Sequence, residues 1–238
     1  MFDIHSHILY GIDDGSRTLE ESLEVLNMAN IRGITDIVVT PHYIKDSKYH
    51  SNNKEKKQLL NTLNKEMKKR NININLYLGN EVYIDEGIPS LLDTDISTIN
   101  GSKYLLIELP MGSKSLILEE VLDELEDNNI IPIIAHPERY LRYYKDYDFF
   151  YQLKQRGCYL QGNIGSIYGH YGRKSKKMIK ELLKRNLIDF FGSDIHHQDQ
   201  HFYNYDIKKD LLKIVKNESL VEDILINNAK RIIGNKEL

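Results

Sequence analysis

Phe2-Asp3-Ile4-His5-Ser6-His7, the stretch FDIHSH at positions 2–7, sets two imidazoles one residue apart directly after a short apolar run. Side chains of an extended segment alternate with period two, so His5 and His7 face one side and Ser6 the other. Such a pair is either a half-exposed strand end or one part of a metal site. The other strand-like runs of the chain decide which.

Six further runs rich in Ile, Val, Leu and Tyr follow: TDIVVT (35–40), INLYLG (74–79), KYLLIEL (103–109), IIPIIAH (130–136), CYLQGNI (158–164) and IDFFGSD (188–194). Segments of helical period separate them. In TLEESLEVLNMANIRG (18–33), Leu19, Leu23, Leu26 and Ile31 make an apolar stripe. Thr18 is the expected N-cap, Glu21 stands at capping-box spacing, and Gly33 ends the helix. The charged stretch 52–70 carries Leu59, Leu60, Leu63 and Met67 at helical spacing and reads as an amphipathic helix with a solvated face. Further helices are expected near Ser90, over 116–128, 146–157 and 175–186, and over Ile207 to Lys216 and Leu220 to Ile233. This alternation, without a Pro-, Gly- or Ser-rich linker, predicts one α/β domain over residues 1–238 with a mostly parallel sheet. Seven units favour a closed or nearly closed barrel, with an open doubly wound sheet as the alternative.

Composition bounds the rest. The 238 residues are 41% hydrophobic and 28% charged, enough for a sizeable core. No apolar stretch reaches the roughly 18 residues of a membrane span. The opening MFDIHSH has neither a basic nor an apolar leader region, and Cys158 is the single cysteine. A cytoplasmic protein is therefore expected. A net charge of −3 gives no global attraction for nucleic acid or anionic membranes.

The ends of the runs carry the chemistry. His5 and His7 follow the first, His42 the second, Glu81 the third, and Glu108 closes the fourth. His136 ends the fifth, and Asp194 with His196 the last. In parallel α/β folds the carboxyl ends of the strands gather at one face, so these residues would converge. With Asp14 they make nine candidate ligands, all nitrogen or oxygen donors, more than one ion can use. Two or three divalent ions are the natural reading, and ions about 4 Å apart suit in-line displacement at phosphorus. Arg139 in HPER (136–139) lies just beyond His136, where its planar fork can hold phosphate oxygens. A cysteine nucleophile is excluded, because CYLQGNI has no Arg placed to cradle phosphate.

DIHSH, GIDDGS, TPHY, GNE, the Glu of LLIELP, AHPER and GSDIH, in that order from Asp3 to His196, resemble the PHP superfamily of polymerase and histidinol phosphatase domains. Within it they look most like the manganese-dependent protein-tyrosine phosphatases of bacterial capsule and exopolysaccharide loci. The resemblance implies a distorted (β/α)7 barrel holding three divalent ions, Mn2+ first, with Fe2+, Zn2+ and Mg2+ as alternatives. By that resemblance His5, His7, Glu81 and Asp194 hold one ion. Glu81 bridges to a second, completed by Glu108 and His136, and Asp14, His42 and His196 hold the third. Asp13 could exchange roles with Asp14. Arg139 is expected to bind the phosphoryl group while a hydroxide held between ions attacks phosphorus; a metal-bound water, or His42 or His196 if uncoordinated, could protonate the leaving tyrosine. The implied partner is a phosphotyrosine protein, the tyrosine-rich tail of a bacterial tyrosine kinase. A histidinol-phosphatase-like enzyme acting on a small metabolite, and a non-catalytic metal-binding module, are the rival readings. Tyr140, Tyr143 and Tyr144 could flank a phenyl phosphate, whereas Tyr147, Phe150 and Tyr151 are expected to pack a helix.

Overall fold

The computed structural model describes residues 1–238. Its strands are β1 (Phe2–Asp3), β2 (Asp36–Val39), β3 (His42–Tyr43), β4 (Asn75–Leu78), β5 (Glu81–Tyr83), β6 (Tyr104–Glu108), β7 (Ile131–Ala135), β8 (Tyr159–Asn163) and β9 (Phe190–Gly192). Every strand pairing is parallel. One sheet has the order β1-β2-β4 and the other β3-β5-β6-β7-β8-β9. The second and third strand-like runs each supply a strand to the first sheet, and the chain just beyond each supplies one to the second, after breaks at Thr40-Pro41 and at Gly79-Asn80. Pro41 has no N–H to give to a ladder, which accounts for the first break. The two ends of the array meet: Ser6 bridges Ile195 in parallel. Beside that bridge Asp194 N–H donates to His5 C=O at 2.8 Å and His7 N–H to Ile195 C=O at 2.9 Å. The sheet thus curls into a distorted barrel of seven strand positions, and the alternative of an open doubly wound sheet falls away.

The helices are α1 (Leu19–Ile31), α2 (Asn53–Lys69), α3 (Leu118–Asp127), α4 (Tyr147–Gln155), α5 (Ile164–Tyr168), α6 (Gly172–Lys184), α7 (Ile207–Val215), α8 (Glu218–Glu222) and α9 (Asn228–Ile233). An inner core of 11 buried residues includes Phe2, Ile4, Val38, Leu106, Ile133, Ala135 and Phe190 from five strand positions, stopped by Ala229 and Ile232 of α9. The larger core, 50 residues, lies between the outer face of the sheet and the helices. No helix is long and apolar enough to cross a membrane.

Local expectations hold in most places. Thr18 caps α1 by accepting from Glu21 N–H at 3.2 Å, but the Glu21 carboxylate reaches back to Arg17 N–H at 2.7 Å, one residue earlier than a capping box requires. Ile31 is 70% exposed, so the buried stripe of α1 ends before it. The segment near Ser90 is a single 3-10 turn, Ile88–Leu91. The final helical stretch runs through a π turn at Asp223–Asn227 that joins α8 to α9. Helix α5 was not anticipated: it forms directly where Asn163 ends β8, and Gly169 closes it in the left-handed conformation.

Candidate metal centre

Eight of the nine candidate ligands form three overlapping groups, and the ninth, His136, stands beside them against Glu81. In the first, His5 Nε2 lies 3.1 Å from His7 Nε2. His5 Nε2 is 3.1 Å from Glu81 Oε2 and 3.5 Å from Asp194 Oδ1; His7 Nε2 is 3.2 and 3.4 Å from the same atoms. Donors sharing an ion through bonds of about 2.1 Å stand roughly 3.0 to 3.4 Å apart. The four side chains therefore have the spacing of one coordination shell, and all four are buried. The third expected set also gathers, with His42 Nε2 3.6 Å and His196 Nε2 3.5 Å from Asp14 Oδ1, and His7 beside them.

The second set differs in one member. Glu81 and Glu108 group with His42, whose Nδ1 is 3.2 Å from Glu81 and 4.0 Å from Glu108. His136 instead points Nε2 at Glu81 Oε1, 2.8 Å away, and stands 3.9 Å from Glu108. His42 thus turns one ring nitrogen toward each of two groups.

The electrostatics ask for cations. Asp13, Asp14, Glu81, Glu108 and Asp194 converge on a site where Arg139 is the one permanently charged base in contact with them. Buried carboxylates are costly unless paired or bound to metal. Burial, and then the Glu81 charge, push Glu108 up to about 8. Burial alone would lower His5, but Glu81 and Asp194 outweigh it and raise it to about 9. His136 and His196 go the other way: burial carries each down to about 4, leaving neutral rings with a lone pair to offer. The buried Nδ1 of His42 has no hydrogen-bond partner although it faces two carboxylates. The donor set, its spacing and this unpartnered nitrogen fit divalent ions.

Asp13 and Asp14 differ in what they face, and only Asp14 stands in a candidate ligand group. Asp13 turns away from the group of Asp14: its Oδ2 accepts from His7 Nδ1 at 2.8 Å and from His42 N–H at 3.0 Å, and its Oδ1 from Gly15 N–H at 2.9 Å. It holds the ring of His7 with Nε2 directed inward. Gly15 permits this loop, since a Cβ there would fall 2.0 Å from His7 O. At the other end, a Cβ on Gly192 would meet His5 Cβ at 2.5 Å. His136 and Asp194 both have positive φ, +33° and +54°, conformations that turn their side chains out of the strand direction at the site.

Arg139 does not pair with Glu138. Its Nη1 donates to Asp194 Oδ2 at 2.8 Å, and its guanidinium packs 4.5 Å above the ring of Tyr171. Glu138 is fully buried and accepts from Asn163 N–H at 2.9 Å and Ser166 Oγ–H at 2.5 Å. The aromatic segment is mainly packing. Tyr140 is buried and its hydroxyl accepts from Leu109 N–H at 2.9 Å, while Tyr143 stacks on Phe149 at 3.7 Å. Tyr151, expected to pack, is 55% exposed. Cys158 is buried, and burial pushes its thiol up to about 12, so it is no nucleophile.

Asp13 apart, the partners of the candidate ligands escaped sequence reading. Tyr171 and Glu138 gave no signal. Gln161 and Asn163 did: they are polar residues two apart on the one strand-like run that ends without a ligand.

A sequence model of the family described as capsular polysaccharide synthesis, CpsB/CapC, matches residues 1–234. CapC of Staphylococcus aureus is 33% identical over all of this chain and 93% of its own length. The tyrosine-protein phosphatase YwqE of Bacillus subtilis is 30% identical with the same coverage. A crystal structure from the work on YwqE and on CpsB of Streptococcus pneumoniae, described as unique metal-dependent tyrosine phosphatases, superposes with a TM-score of 0.91 at 30% identity, covering 100% of this chain and 96% of that one. The histidinol phosphate phosphatase of Lactococcus lactis, at 16% identity and a TM-score of 0.57, shares the fold. Matched by its profile over nearly the whole length, the chain belongs to the CpsB/CapC family of capsular polysaccharide synthesis.

Proposed function

We propose that residues 1–238 form one metal-dependent protein-tyrosine phosphatase domain, acting in the cytoplasm on a phosphotyrosine protein of capsule or exopolysaccharide synthesis. The observation that carries this reading is the packing of His5 and His7, 3.1 Å apart and each 3.1–3.5 Å from Glu81 and Asp194, with Arg139 on the far oxygen of Asp194. The relatives' names support the substrate class. The proposed ligands are His5, His7, Asp14, His42, Glu81, Glu108, His136, Asp194 and His196, and three Mn2+ ions are the proposed complement.

Divalent ions, when bound, supply a nucleophile from water at neutral pH and positive charge against the phosphoryl oxygens. Arg139 is anchored to Asp194 through Nη1 and leaves the rest of its fork for phosphate. Its contact with Tyr171 fixes the guanidinium plane. His42 and His196 stand on the more open side of the cluster, 12% and 19% exposed, where substrate enters. A tyrosine leaving group, with a pKa of about 10, needs less protonation than an alkoxide would. The proposed partner is the tyrosine-rich tail of a bacterial tyrosine kinase.

Hydrolysis of a phosphotyrosine peptide compared with histidinol phosphate, on Mn2+-loaded protein, tests the substrate class. Higher kcat/KM on the peptide is expected. Higher kcat/KM on the metabolite would overturn the reading.

A further inference from the structure

Strand β8 supplies no ligand, yet its two inward amides touch two ligands of the first ion. Tyr159 of β8 packs on the inner core, and Gln161 and Asn163 follow it at intervals of two, so all three face the barrel interior. Gln161 Oε1 lies 2.8 Å from His5 Nδ1, and Gln161 Nε2 lies 2.9 Å from Asn163 Oδ1. Asn163 Nδ2 lies 2.6 Å from Asp194 Oδ2. His5, Gln161, Asn163 and Asp194 thus form one unbroken chain of hydrogen bonds, and all four side chains are buried.

The direction of that chain is fixed at both ends. Gln161 Nε2 also lies 2.7 Å from the carbonyl of Gly162, which can only accept, so the amide nitrogen is held there. Its oxygen must then face His5, and His5 Nδ1 must carry the proton it donates. At the other end the carboxylate of Asp194 can only accept, so Asn163 presents its nitrogen there and its oxygen to Gln161. The backbone carbonyl of Gly162 therefore selects the His5 tautomer whose Nε2 lone pair points into the cluster. The Asn163 bond joins Arg139 Nη1, at 2.8 Å, and Tyr171 O–H, at 3.3 Å, on Asp194 Oδ2, which leaves Oδ1 to the ion side. Glu138, accepting from the Asn163 backbone N–H, ties the arrangement to the loop carrying His136 and Arg139.

We infer that Gln161 and Asn163 are positioning residues that set the tautomer of His5 and the one-oxygen presentation of Asp194, so that the ligandless strand orients the first ion's site. This rests on reading His5 and Asp194 as ligands. Hydrogen bonds behind a ligand typically change metal affinity by 10- to 100-fold.

The test is Zn2+ affinity by chelator competition, on folded protein checked by circular dichroism, for Gln161→Met, Gln161→Glu, Asn163→Ser and His5→Ala. Gln161→Met is expected to weaken the tightest site by about 10- to 100-fold. Gln161→Glu, which keeps an acceptor for His5 Nδ1–H, should recover part of that loss, and Asn163→Ser should weaken the site if Gln161→Met does not fold. Long-range nitrogen–proton NMR of the Zn2+-loaded wild type should show His5 protonated at Nδ1 and not at Nε2, a signature that packing alone does not set. Affinity unchanged within about threefold in Gln161→Met and Asn163→Ser while His5→Ala loses the site would overturn this inference alone. So would equal losses in Gln161→Met and Gln161→Glu. Unchanged affinity in His5→Ala would overturn the ligand reading as well.

Discussion

Arg139, the proposed phosphate binder, is tied to the proposed metal ligand Asp194 through a single 2.8 Å bond. Lysine can replace its charge but not its planar fork. Arg139→Lys is therefore expected to lower kcat/KM on a phosphotyrosine peptide by about 100-fold or more, the scale of removing one transition-state donor. Steady-state kinetics on metal-saturated protein checks it; a loss under threefold would remove Arg139 from phosphate binding. Cys158 gives the opposite expectation. Buried, with its thiol pushed up to about 12 by burial, it should tolerate Cys158→Ser with full activity, and iodoacetamide should not inhibit the wild type. Loss of turnover in either assay would revive a cysteine mechanism. At this scale the convergence of the candidate ligands was legible, because all but Asp14 are His or carboxylate residues at or just beyond a strand end. Their supporting partners were not. Asp13 and Asp14 are chemically identical in sequence, and only the loop turning at Gly15 decides that Asp13 faces His7.

Helix α2 shows how an element can hide a role. Its sequence is charged enough to suggest a solvated face around Leu63 and Met67, and those two are buried as expected. Lys56 is buried as well, its ammonium bonded to Asn80 Oδ1 and to Asp95 C=O, the latter at 2.7 Å. Asn80 also holds Pro41 C=O at 2.8 Å, so the lysine braces the breaks that precede both His42 and Glu81. No periodicity argument marks one lysine among so many as the buried one, since burial depends on what the neighbouring strand presents. Burial lowers Lys56 to about 7, far below its unfolded value of about 10.4. Between those values the unfolded chain holds the extra proton, so this residue's contribution to stability rises with pH from about 7 to 10 and is least below 7. The stability difference between wild type and Lys56→Met should shift toward wild type by at most about 1.4 kcal/mol per pH unit across that window. Urea unfolding in chelator at pH 7 and pH 9 measures it; a difference independent of pH would mean that Lys56 titrates normally.

The whole molecule follows from alternation. Seven strand-like runs separated by helices give a parallel sheet, and curling it brings β9 against the chain after β1, so that residues 190 positions apart in sequence touch. Sequence pattern carried the order and the placement of the candidate ligands at one face. It did not carry closure, which depends on the bridge between Ser6 and Ile195, nor the split of two runs at Thr40-Pro41 and Gly79-Asn80. It also did not carry the sharing of His42 between two ligand groups, which needs the ring's position and not only its address.

The central claim is that this convergent face works through divalent ions. The direct measurement is hydrolysis of a phosphotyrosine peptide after exhaustive chelation, with Mn2+, Zn2+ and Mg2+ then added back separately and bound metal counted by mass spectrometry. The account predicts loss of turnover on chelation, recovery with Mn2+ foremost, and activity that rises as the site fills toward three ions. Full activity in protein stripped of metal would contradict it.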